Sequence, residues 1–316
     1  MHPAPSVIIF SVLSGAGFGY LAFLGLGIST GTGMTAFWQF GLGIALAVVG
    51  LISSTFHLGN PKRALLAFTQ WRTSWLSREA WIAVAALLTM GVFAAAAVFL
   101  ERLVPIVGVL GAALSLGTVF VTSMIYAQMA TVPRWNSPLT PAYFLASSVS
   151  AGAILSGHIA LALTAILLLG IIQLACWWWG DQSFAGRGHS VSSATGLGRG
   201  GQVRLFESPH SGTNYLLKEF VFQVARRRAD KLRAICIVFF ILLPALIILA
   251  DAGVLAIGLA FGAHLVGTLI SRWLFFAQAE HVVQLYYGHQ PTLGSGLADG
   301  PGQERAAVGS AMGAGS

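Results

Sequence analysis

A chain of 316 residues that is 56% hydrophobic and only 9% charged is not a soluble globular domain, in which about a quarter of the residues would be charged. The net charge of +7 does not point to nucleic acid, because the basic residues lie in short loops beside long apolar runs, where they set membrane orientation. Cys176 and Cys236 are the only cysteines, each inside an apolar run, too few to hold an iron–sulfur cluster or a zinc ion.

Continuous apolar runs of about 20 residues predict spanning helices, and their lack of alternation argues against barrel strands. Eight are expected, over 6–27, 36–56, 79–100, 104–129, 141–156, 159–179, 233–250 and 254–276. The expected fold is therefore all-α, a polytopic membrane bundle of eight transmembrane helices. Residues 1–291 form the anchor domain, and 292–316 a Gly/Ala/Ser-rich disordered tail. The first run lacks a basic leader and a small-residue cleavage site, so it reads as a retained helix. Small residues crowd the first run (Ser14, Gly15, Gly17, Gly19) and the fifth (Ser147, Ser148, Gly152). Such stripes allow close helix packing in lipid.

With eight spans, both termini and the loops after spans two, four and six share one side. All the Lys and Arg residues except Arg102 then fall on that side, Arg272 and Arg305 included. Basic loops stay in the cytoplasm. The expectation is a multi-pass protein of the bacterial inner membrane, with both termini and the large loops cytoplasmic. In the loop at 180–232, residues 183–212 read as irregular. Residues 214–232 read as an amphipathic helix carrying Arg226, Arg227 and Arg228. That helix either lies among the lipid headgroups or docks a soluble partner.

Chemistry concentrates between residues 57 and 79. His57 ends span two, Gly59-Asn60-Pro61 makes a turn, and a basic amphipathic piece runs over 62–72. A new helix begins near Ser77, its N-cap, with Glu79 at the start of span three. Helix ends on one side bring His57 and Glu79 to one depth, with Lys62, Arg63 and Arg78 between them. An ionisable group at membrane depth is a functional candidate by default. An imidazole, a carboxylate and a cation at the headgroup boundary suit a quinone: one group bonds a ring oxygen and another exchanges a proton. Two other readings stand beside it. Glu79 could favour the positive end of a helix dipole with His57 as an interfacial anchor, or the groups could line a substrate cleft. Trp71, Trp75 and Trp81 suit an interfacial belt or stacking on a quinone ring. His57, His158 and His264 lie at three different depths, so no pair is placed to ligate haem. The midplane offers only His264 and a proline, Pro244, which argues against a secondary transporter, the main alternative of another class.

The stretch from His57 through Arg63 (HLGNPKR) followed by SWLSRE at 74–79 resembles the signature of the DmsC-type anchor family, the membrane subunit of dimethyl sulfoxide reductase and its relatives. The opening MHPAPSVIIF and the segment FQVARRRADKLR look similar as well. The resemblance implies an eight-helix anchor with no catalytic or metal residues of its own. It would pass electrons between a membrane quinone (ubiquinone or menaquinone) and a docked iron–sulfur subunit that serves a molybdopterin catalytic subunit. It further implies a quinone site at His57, Gly59, Arg63 and Glu79, to which Trp75 adds a ring for stacking, with Glu79 and His57 exchanging protons. Docking of the partner would use Lys62, Arg72, Arg78, Arg134 and Arg226 to Arg228. The charge bias places the docking face in the cytoplasm. That looks like the sulfite-oxidising branch of the family, so sulfite:quinone oxidoreduction is expected. The anchor of a dimethyl sulfoxide or other S- or N-oxide reductase is the alternative.

Overall fold

In the computed structural model, residues 4–57, 60–188, 190–197, 203, 224–250 and 253–287 are described. The apolar runs fold as helices because lipid leaves each backbone polar group to be satisfied within its own segment. They are α1 (Pro5–Gly25), α2 (Gly33–Ser53), α3 (Trp75–Phe99), α4 (Pro105–Ala127), α5 (Leu139–Leu155) and α6 (Ile159–Gly186). A short α7 (Val191–Thr195) follows, then α8 (Val224–Ile237), α9 (Leu243–Ala250) and α10 (Val254–Ala277). One π-helical turn, Val238–Leu242, joins α8 to α9 in a single rod. No strand occurs among the described residues.

Seven of these helices are long and apolar enough to cross a membrane, the α8–α9 rod counting as one. The fifth expected span is the exception: α5 has 17 residues, or about 26 Å, against a hydrocarbon core of about 30 Å. It packs between α1, α4, α6 and α10, which lets it carry the buried hydroxyls of Thr140, Ser147, Ser148 and Ser150. Ser150, for example, donates to Ala165 O at 2.9 Å.

The expected small-residue stripes are where the backbones meet. A Cβ on Gly19 of α1 would fall 1.9 Å from Ser148 O of α5, and one on Gly152 would fall 2.4 Å from Gly19 O. Gly25 and Gly108 bring α1 and α4 equally close. Small residues that admit such contact replace the hydrophobic drive that lipid cannot supply. As a result α1 is the most enclosed helix: its most apolar window is 78% buried, against 22% for the rod at Ala229–Ala250.

Several boundaries differ from the sequence reading. Helix α3 starts at Trp75 with Ser74 in the N-cap position, so Ser77 lies inside it and is no cap. Helix α6 runs past Trp179 to Gly186, and α7 interrupts a stretch expected to be irregular. The irregularity that goes with Pro244 lies just before it, as the π turn. Residue 244 has no N–H to give Phe240 O, and His264 Nδ1 of α10 lies 3.2 Å from that carbonyl instead. The amphipathic helix expected over 214–232 is described only from Val224, and the tail at 292–316 lies outside the described residues.

One end of the bundle gathers the connection after α4, the end of α6, the start of α8 and the residues after α10. Trp135 Nε1 donates to Phe275 O at 2.9 Å, Val282 N to Thr131 O at 3.0 Å, and Tyr286 Oη to Ala194 O at 2.8 Å. This end carries Arg134, Arg187 and Arg233.

Candidate functional site

After α2 the chain tightens into a 3-10 turn, Ser54–His57, and resumes at Asn60 with a second, Pro61–Phe68. The side chains of His57 and Lys62, and all of Gly59, lie outside the described residues, as do the side chains of Arg226, Arg227 and Arg228. The strap over 61–74 folds back on the first turns of α3. Ser77 Oγ donates to Ala67 O and accepts from Gln70 N at 3.2 Å. Trp81 Nε1 donates to Phe68 O at 3.0 Å, and the two rings meet edge to face. Arg78 closes the turn, donating to Trp71 O at 3.0 Å and Arg72 O at 2.7 Å while lying 4.4 Å over the Trp75 ring. A guanidinium spent on two carbonyls and a ring is a structural clasp. Arg63 and Arg72 are exposed, Arg72 lying over the Trp71 ring at 5.3 Å.

Glu79 leaves this basic strap and turns into the bundle. It is 4% exposed and shares a hydrogen bond with Thr122 of α4. The Thr122 hydroxyl has one proton and two acceptors within reach, Glu79 Oε1 and Thr118 O at 2.9 Å. Both bonds are complete when Glu79 carries a proton and donates it to Thr122. Among the described residues no ion pair includes Glu79. The arrangement suits a carboxyl that binds and gives up a proton, more than one fixed as an anion by a cation.

Beyond Thr122 lies an aromatic wall. Tyr126 of α4 packs against Trp135, Phe144, Phe275 and Phe276, with ring centroids 5.4 to 5.6 Å away.

Arg272 is not a surface charge. Read as a charge on the basic side, it is 1% exposed inside the bundle. Its guanidinium lies 3.4 Å over the Phe144 ring and 4.4 Å over the Tyr143 ring, and Nε and Nη1 have no hydrogen-bond partner. Its place five residues before the end of a 24-residue apolar helix was the available signal. Arg134, expected at a docking surface, is held by Asp181 at 2.8 Å, and Arg233 grips the same carboxylate with two bonds of 2.7 and 2.8 Å. These contacts tie the connection after α4, the end of α6 and the start of α8 into one face.

Cys176 and Cys236 each lie 3.6 Å from a backbone carbonyl, Leu139 O and Gly267 O, as packing residues do. Among the described residues no three His, Cys, Asp or Glu side chains converge on a metal position.

Residues 1–288 match the family model described as DMSO reductase anchor subunit (DmsC). The chain is also 33% identical over 322 residues to one of the subunits of the sulfite dehydrogenase of Allochromatium vinosum, covering 91% of this chain and 99% of that protein. No solved structure matches it.

Proposed function

Since the chain belongs to the family of DMSO reductase anchor subunits, we propose that it is the membrane anchor and quinone-binding subunit of a three-subunit molybdopterin and iron–sulfur oxidoreductase, and that its complex oxidises sulfite to sulfate. The family supports the anchor role over a transporter. The similarity to a sulfite dehydrogenase subunit along nearly the whole of both chains supports the substrate. Sulfite and water give sulfate, two protons and two electrons; the quinone takes up two electrons and two protons. The molybdopterin centre and the clusters belong to the partner subunits, and this chain supplies the lipid-side end of the path.

The observation that carries the reading is the buried Glu79 carboxyl, bonded to Thr122 beneath the strap of residues 61–74. A quinone entering under that strap would take a proton from Glu79 as electrons arrive, and Glu79 would be reprotonated from the basic end. His57, Gly59, Arg63 and Trp75 complete the site in this reading, with Arg63 facing water and Trp75 held against Arg78. The one-sided charge supports a cytoplasmic position for this end, both termini and the docked partners, in a bacterial inner membrane. Lys62, Arg72, Arg134 and Arg226 to Arg228 serve docking there. The family description keeps the reverse reaction, quinol oxidation by an S- or N-oxide reductase, as the second reading.

Purification of the tagged chain from native membranes tests the assignment. Two co-purifying subunits, molybdenum, iron and sulfite-dependent quinone reduction are expected. Both metals with S-oxide reduction and no sulfite activity would move the chain to the second reading. A lone chain without metals would overturn the anchor role.

A further inference from the structure

The bundle buries one acid and one base. Among the described residues, Glu79 and Arg272 are the only Asp, Glu, Lys or Arg side chains that are buried. Neither forms an ion pair with any described residue. Nothing in the scheme above uses Arg272.

The two lie in one layer. The basic end receives the start of α3 and the ends of α4 and α10. Glu79 is four residues inside α3, while Thr122 and Arg272 are each five residues inside α4 and α10. At about 1.5 Å per residue, all three sit about 6–8 Å below that end. Between the two charges stands a stack of rings. The Arg272 guanidinium lies 3.4 Å over the Phe144 ring, and Phe144 meets Tyr126 at 5.6 Å. Tyr126 follows Thr122, the partner of Glu79, by one helical turn. Both rings are themselves buried.

A guanidinium keeps its charge at any working pH, and one buried without an anion is costly to the fold. Nε and Nη1 of Arg272 have no hydrogen-bond partner, and ring faces compensate the charge only in part. The other titratable groups on the elements around it are Tyr143 of α5, Tyr126 of α4, Cys176 of α6, Cys236 of α8 and, two turns back on α10, His264. None of these is an acid that would pair with a guanidinium at pH 7. Around Glu79 the described cations are Arg63 and Arg72, both exposed, and Arg78, spent on the carbonyls of the strap. Exposed cations are screened by water and salt, whereas a charge behind dry rings is screened much less.

We propose that Arg272 is the fixed counter-charge of Glu79, a positioning residue that eases release of the Glu79 proton to quinone. When the carboxyl protonates a quinone oxygen it becomes an anion inside the bundle. Arg272 is the standing positive charge that offsets it across the rings. The inference rests on the reading of Glu79 as the proton donor. Unit charges about 10–15 Å apart, two or three ring spacings, move a proton equilibrium roughly tenfold at an effective dielectric of about 20.

The test is quinone reduction by the intact purified complex as a function of pH, with dye-linked sulfite oxidation as the internal control. Arg272→Met fills a similar space without charge, an exchange that buried ionic sites often tolerate. It should move the alkaline limb of quinone turnover about one pH unit upward, because Glu79 then holds its proton longer. The plateau should fall about threefold, since a proton-transfer rate follows only part of the acidity change. Arg272→Lys keeps the charge and should keep the wild-type limb. In a Glu79→Gln background, Arg272→Met should bring no further loss. A limb unmoved in Arg272→Met, or moved as far in Arg272→Lys, would overturn the counter-charge and leave Glu79 as the donor. Wild-type turnover in Glu79→Gln alone would overturn the donor reading beneath it. Arg272→Gln is the second neutral variant. Failure of both neutral forms to assemble would overturn the inference too, because the charge would then be serving the fold.

Discussion

The Glu79 carboxyl of α3 and the Thr122 hydroxyl of α4 share a hydrogen bond inside the bundle, 43 residues apart in the chain. Because Thr122 also reaches Thr118 O, the pair is completed by a proton on Glu79. Thr122→Val keeps the shape and removes this partner. It should cost about 1–3 kcal/mol of stability, the penalty of an unsatisfied buried polar group. Quinone turnover should fall while the assembled complex still oxidises sulfite with a soluble dye. Thermal stability in detergent and the two activity ratios check this.

Arg63 of the strap and Arg78 of α3 should separate cleanly. Arg78 holds two carbonyls and a ring, so Arg78→Ala should destabilise the strap by about 1.5–3 kcal/mol, as for bonds to a charged group. Protease cleavage within residues 61–74 should become faster. Arg63 is exposed, and Arg63→Ala should stay within about 0.5 kcal/mol of wild type. As a member of the proposed quinone site, its loss should also raise the KM for quinone.

Gly19 and Gly152 should be intolerant of larger side chains. Gly19→Leu would drive a side chain into Ser148 O. Overpacking of this kind costs about 1–3 kcal/mol or more, and the yield of assembled complex should collapse. Gly41, with open space around it, is the control: Gly41→Ala should assemble normally.

His264 and Pro244 form a further pair with a definite sign. His264→Leu leaves Phe240 O without the bond that Pro244 cannot supply, at a cost of about 1–3 kcal/mol. Pro244→Ala restores a backbone N–H beside that carbonyl, so the double variant should recover part of the loss. A double-mutant cycle on thermal stability measures the coupling.

Much of this architecture is legible in hydropathy. A run of apolar residues must become a helix in lipid, and glycines spaced along α1 and α5 announce close packing. What hydropathy cannot read is which side of a helix faces lipid and which faces another helix. Arg272 therefore counts with the charges of the basic side, although aromatic rings enclose it within α10. Asp181 and the residues to Gly186 look like loop because they are polar, yet α6 continues into the interface and two arginines hold Asp181 there. Ser77 looks like a helix cap because serine favours caps. Its hydroxyl is instead occupied by the strap, and α3 begins two residues earlier, at Trp75. Glu79 stands out in the sequence by its chemistry, whereas its bond to Thr122 required the fold.

The most direct measurement compares quinone reduction by the purified complex with and without Glu79→Gln, using dye-linked sulfite oxidation as the internal control. Loss of a positioned proton donor costs roughly 10²-fold or more. The account predicts that fall in quinone turnover with assembly and dye-linked activity unchanged. Wild-type quinone turnover in the Glu79→Gln complex would contradict it.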